Sequence, residues 1–158
     1  MWGLAFYAHG KLPKEIPGHF GFNGEPTRYD SKTTFFILPA AFSIAPIILL
    51  VLARFRFTLF NKYPYLLNLP AFYVNISKIP KERQTFWINR YFEVIIFLGA
   101  VLTLSFLILE YGIYHGSLAG KLPTWFLFFS LSMPVWLIVL LLLYFRKMSN
   151  DMKKDMMS

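Results

Sequence analysis

TTFFILPAAFSIAPIILLVLA, residues 33–53, runs for 21 positions without a charged side chain. At about 1.5 Å per residue, a helix of that length crosses the roughly 30 Å hydrocarbon core of a bilayer. In lipid such a segment must be helical, because each backbone N–H and C=O needs a partner within the segment. Two further runs share its character. One extends from Tyr91 to Tyr114, with 16 uncharged residues between Glu93 and Glu110. The other, Leu122 to Phe145, carries no charge. The whole composition agrees: 56% of the 158 residues are hydrophobic and only 15% are charged, against roughly 25% in soluble domains. The expected fold class is an all-α integral membrane protein, a small helical bundle with three full transmembrane helices. So few helices make completion by a second copy, a homo-oligomer, a candidate arrangement.

The net charge of +8 would point to nucleic acid in a soluble protein. Here the basic residues flank apolar runs, which is the pattern of topology control and argues for no nucleic-acid partner. The loop at about 54–90 and the tail 146–158 hold eleven Lys and Arg; the remaining segments hold five. The positive-inside rule therefore predicts a cytoplasmic loop, a cytoplasmic C-terminus and an extracytoplasmic segment 10–32. Cysteine is absent, which removes disulfides and thiolate chemistry.

Three other regions complete the layout. Residues 1–9 are apolar and too short to span, and read as an interfacial or truncated transmembrane segment. The loop mixes Phe55, Phe57, Phe60, Tyr63, Tyr65, Phe72, Tyr73, Phe86 and Trp87 with basic residues, a composition suited to the membrane interface. Pro64 and Pro70 break any long helix there, whereas Pro80 suits the first turn of a helix running into the second span. A cytoplasmic partner or anionic lipid is a candidate for this loop. The tail reads as polar and frayed. Gly99, Ala100, Thr103 and Ser105 offer small contact residues in the second span without a strict small-xxx-small pair.

Between these regions stands LPKEIPGHFGFNGEPTRYDSK, residues 12–32. Pro13, Pro17 and Pro26 exclude a helix, and Asn23-Gly24 signals a tight turn. The expectation is an ordered extracytoplasmic, hairpin-like loop with Phe20 and Phe22 as apolar contacts. Asp30 or Ser31 would cap the first span.

The spacing Leu-Pro-x-x-Ile-Pro-x-His-Phe-x-x-x-Gly-x-Pro followed by Ser-Lys resembles the signature of domain-of-unknown-function family 1648. That family forms the N-terminal region of SdpI-like immunity proteins of bacteria. Leu12, Pro13, Ile16, Pro17, His19, Phe20, Gly24, Pro26, Ser31 and Lys32 carry the resemblance. It implies a non-enzymatic protein of the bacterial cytoplasmic (inner) membrane, involved in protection against secreted toxic peptides or in signalling, with a transmembrane helix preceding the motif. The chain ends after the third span, whereas longer SdpI-like proteins continue into a second region.

His19, Asn23, Glu25, Asp30 and Lys32 are the candidate ligand- or signal-binding residues of the loop, with Glu110 and His115 as contributors from the second span. Pro13, Pro17, Gly24 and Pro26 are its structural residues. His and carboxylate can ligate zinc, but no metal-site spacing is present, so the expected role is loop shape or ligand contact with no metal and no cofactor. Nucleophile elbows and phosphate-binding glycine loops are absent too, which argues against an enzyme. The expected partners are the bilayer and a peptide toxin or signal. The alternative is a small permease or transporter subunit using Glu110, because carboxylates inside spans are costly and tend to be functional.

Overall fold

The computed structural model describes residues 1–63, 76 and 78–157. Pro64, Tyr65, Pro70, Phe72 and Tyr73, part of the aromatic-loop reading, lie outside the described residues. The chain is a helical multi-pass membrane protein with three helical stretches long and apolar enough to span. Only 17%, 28% and 0% of their apolar windows, in chain order, is covered by protein, so lipid solvates the rest. The contacts divide the chain into two units: residues 1–46 with 101–136, and residues 47–100 with 137–158.

In the first unit, α1 (Trp2–Lys11) leads into a two-stranded antiparallel sheet, β1 (Glu15–Phe20) and β2 (Pro26–Ser31). The expected hairpin is thus a true sheet, a small β element in an otherwise helical chain. Pro26 stands at the first position of its strand, where no ladder donor is required. Register shifts on either side of His19 leave Gly18 and Thr27 unpaired. A Cβ at Gly18 would collide with the Asp30 carboxyl group, so glycine lets that side chain lie over the strand.

The turn is built by Asn23 and Gly24. Asn23 Oδ1 accepts from the Glu25 amide at 3.1 Å, and Asn23 Nδ2 donates to Glu25 Oε2 at 2.9 Å. Gly24 has φ +77°, a backbone state glycine adopts freely. Its amide donates to Gly21 O and its carbonyl accepts from Leu122 N at 2.8 Å. The hairpin tip is therefore bonded to the connection between the second and third spans.

A short 3-10 turn, Lys32–Phe36, then opens into α2 (Ile37–Arg54). Neither proposed cap forms. The Ser31 hydroxyl is taken by Thr33 Oγ1 at 3.0 Å, and Asp30 by Arg28 at 2.8 Å, so no side chain reaches the free amides. Lys32 turns the other way and donates to His9 O at 3.1 Å, closing the C-terminal end of α1. Ala5, Ala8, Leu12, Ile16, Phe35 and Tyr114 form the unit's buried cluster. Ala5 and Ala8 are fully buried because their small side chains admit close neighbours.

The second unit holds α3 (Arg56–Lys62) and parts of α4 (Lys81–Ala119) and α5 (Thr124–Met157). As the sequence predicts, α4 starts just after Pro80, whose carbonyl accepts from Arg83 and Gln84. Arg56 Nε donates to Asn89 Oδ1 at 2.7 Å and its Nη1 to Ala53 O at 3.2 Å, which fixes α3 against α4. The tail differs from expectation. Instead of fraying, α5 continues to Met157, with Met148 and Met152 buried among Trp87, Ile88, Tyr91 and Phe92. Methionines four residues apart make an apolar stripe within a charged stretch, and burial of that stripe holds the helix. Trp87 Nε1 donates to Asp155 Oδ2 at 2.8 Å, and Arg83 pairs with the other Asp155 oxygen.

Candidate functional site

The hairpin covers a cavity of about 450 Å³ in the first unit. Ile16, Pro17 and Phe20 of β1 form one wall; Phe35, Ile37 and Leu38 of the following turn and helix form another. Ile113, Leu122 and Phe126 close it. The polar groups in the lining are His19, Arg28, Asp30 and Thr34. A mostly apolar cavity with a few placed polar groups is the usual form of a small-ligand site.

Those polar groups are organised before any ligand arrives. His19 Nδ1 and Thr27 Oγ1 share a hydrogen bond at 2.6 Å across the sheet, so His19 bonds a side chain rather than only loop backbone. Arg28 Nη2 reaches Asp30 Oδ2 at 2.8 Å and Gly18 O at 3.3 Å, and Arg28 Nε reaches the same carboxylate oxygen at 3.2 Å. The lining therefore carries one cation, one anion and one imidazole, suited to a ligand that is apolar over most of its surface and polar at one end.

The candidate residues do not all converge. His19 and Asp30 line the cavity. Asn23 and Glu25 hold the turn, and Glu25 Oε1 meets Lys121 Nζ at 3.3 Å on the surface. Lys32 serves α1. Phe22 is not an apolar contact within the protein: it is 99% exposed at the tip, while Phe20 lines the cavity. Glu110 is completely buried, with its Oε2 at 3.9 Å from the Met1 amino nitrogen and, among the described residues, neither oxygen hydrogen-bonded. His115 is exposed beside Tyr111, with ring centroids 5.5 Å apart. Five residues along a helix place it well round from Glu110. The joint site of loop residues with Glu110 and His115 is thus not assembled. Among the described residues, no three His, Asp or Glu side chains gather as a metal ion would require.

Two features lay beyond the sequence reading. Arg28 emerges as a cavity residue only because the register sets it beside Gly18 and Asp30. Gly112 and Gly116 form a small-xxx-small pair further along α4 than Gly99, Ala100, Thr103 and Ser105. A Cβ at Gly112 would strike Phe126 and stand 2.9 Å from Trp125, and one at Gly116 would stand 2.9 Å from Leu122. The spacing Gly-x-x-x-Gly is visible in the sequence and is the signal for this close approach.

The sequence profile described as "Domain of unknown function (DUF1648)" matches residues 1–42. An uncharacterised protein of the archaeon Archaeoglobus fulgidus is 43% identical over 158 residues, covering 98% of this chain and 85% of the relative. The chain belongs to the DUF1648 family. The DUF1648 match spans α1, the hairpin and the start of α2, all within the first unit. No solved structure matches the chain.

Proposed function

We propose that this DUF1648 protein is a non-enzymatic, multi-pass protein of a prokaryotic cytoplasmic membrane that binds an amphipathic ligand, a peptide toxin or signal, at its hairpin end. The cavity beneath the hairpin carries this reading: an apolar interior with His19, Arg28 and Asp30 among its lining. The distribution of Lys and Arg supports an extracytoplasmic hairpin and a cytoplasmic C-terminus. The resemblance of residues 12–32 to the N-terminal region of SdpI-like proteins, within the family match at residues 1–42, supports a role in immunity or sensing.

The test is protection. A sensitive bacterium expressing the wild type is challenged with membrane-active peptides beside a His19→Ala/Asp30→Asn variant of equal abundance. Protection that the variant loses is the expected result. Equal protection by both, or none by either, overturns the reading.

One observation favours a second reading, a small permease or transporter subunit. Glu110 lies fully buried in a spanning helix without a hydrogen-bond partner among the described residues, and such carboxylates often mark transport pathways. That reading requires Glu110→Gln to abolish uptake of a solute while the protein stays folded. Unchanged uptake in the variant removes it.

A further inference from the structure

The second unit has its own cavity, of about 350 Å³, between α4 and α5. Its walls include Phe86, Trp87 and Tyr144, and its charged lining is Arg90, Lys147 and Asp151. We propose that this cleft binds the phosphate headgroup of an anionic membrane phospholipid. The inference is independent of the ligand assigned to the hairpin end.

Position is the first argument. The cavity lies where the apolar run of each helix stops: Arg90 and Glu93 flank the start of one, and Arg146 and Lys147 follow Phe145 at the end of the other. Basic and aromatic side chains bordering a span lie at the level of the headgroups. A cleft at that depth meets lipid phosphate before it meets any soluble anion.

Preorganisation is the second. The indole N–H of Trp87 is fixed on Asp155, itself bound by Arg83, so this aromatic wall stands ready before a ligand enters. Arg90 uses one N–H group on Glu93 at 2.9 Å. That pair is well exposed on both sides, 55% and 59%, and holds Arg90 weakly. The remaining guanidinium donors are available to a phosphate.

Continuity with lipid-facing surface is the third. Tyr144 stands against Phe97 with ring centroids 5.4 Å apart, and both are partly exposed, Phe97 on the same face of α4 as Arg90 and Val94. Acyl chains descending from a headgroup in the cleft would lie along these side chains. An acidic protein segment would gain nothing from them.

The charge balance makes the proposal sensitive in both directions. In the lining two cations face one carboxylate, with Glu93 engaging Arg90 from outside it, so Lys147 and the remaining donors of Arg90 favour an anionic over a zwitterionic headgroup, and Asp151 opposes binding. The full chain, purified in mild detergent, is titrated with phosphatidylglycerol and separately with phosphatidylcholine, and retained lipid is read by native mass spectrometry. The expected result is retention of phosphatidylglycerol at one per chain with little phosphatidylcholine. Lys147→Gln should weaken retention about five-fold, the effect of one surface cation on an anionic lipid. Asp151→Asn should strengthen it. Both side chains are exposed, and an unchanged hydrogen-exchange pattern verifies that each variant is folded. Equal retention of the two lipids, or indifference to both substitutions, overturns the proposal.

Discussion

The two units hold together in different ways. The first depends on backbone geometry: a positive-φ glycine, an amide of the α4–α5 connection on the Gly24 carbonyl, and glycines against which aromatic rings lie. The second depends on apolar side chains and a clasp made by Arg83, Trp87 and Asp155. Backbone constraints tolerate few residue types. Apolar packing accepts many, provided volume and pattern are kept. The family profile, confined to residues 1–42, falls wholly on the part of the chain where residue choice is narrow.

The sharpest way to break this contrast is a pair of glycine substitutions. Gly112→Leu drives a side chain into Phe126 and Trp125, and overpacking of this kind costs about 1–3 kcal/mol or more. Loss of monodisperse protein on size exclusion in detergent is expected. Gly99→Ala in the second unit meets Leu49 at an ordinary 3.6 Å and should behave as wild type. If the second change is as damaging as the first, the contrast fails.

Next in size is Trp87→Phe. Losing a hydrogen bond to a carboxylate costs about 1.5–3 kcal/mol. The effect should be confined to the clasp, seen as faster hydrogen exchange over residues 148–157. Gly24→Ala forces a Cβ into the left-handed region, at about 1–2 kcal/mol. A lower melting temperature should accompany protease cleavage within the hairpin.

Glu110→Leu has the opposite sign. It replaces a buried carboxyl group without hydrogen-bond partners by an apolar side chain, which should raise the melting temperature by the equivalent of about 1 kcal/mol. A fall would mean that the contact of Oε2 with the Met1 amino group, at 3.9 Å, outweighs the cost of burying the carboxyl group. Smallest of all is Lys121→Gln: its pair with Glu25 is exposed on both sides, and less than about 1 kcal/mol is at stake. A marked fall in thermal stability there would show that side-chain charge, not backbone bonding, docks the hairpin.

What was legible in the sequence follows the same division. The spans were readable because lipid demands uninterrupted apolar runs, and the hairpin because prolines and Asn23-Gly24 permit little else. The helical tail was not, since Met148 and Met152 make a buried stripe only once Trp87 and Tyr91 lie opposite. His19 and Asp30 were recognisable as site candidates by residue type. Arg28 was not, because its place depends on the bulged register at Gly18. The failure of His115 to join Glu110 is simple helical geometry, five residues apart on a turn of about 3.6.

The bond from Leu122 to Gly24 has a consequence for assembly. The hairpin is made early in translation, yet its docking partner is nearly a hundred residues downstream, beyond the second span. The tip must wait, unanchored, until α4 has crossed the bilayer and α5 has begun. A ribosome-bound chain halted before residue 120 should therefore display a hairpin open to protease, and the same segment should become resistant once the third span is released. The most recognisable part of the sequence would then be among the last to reach its final form.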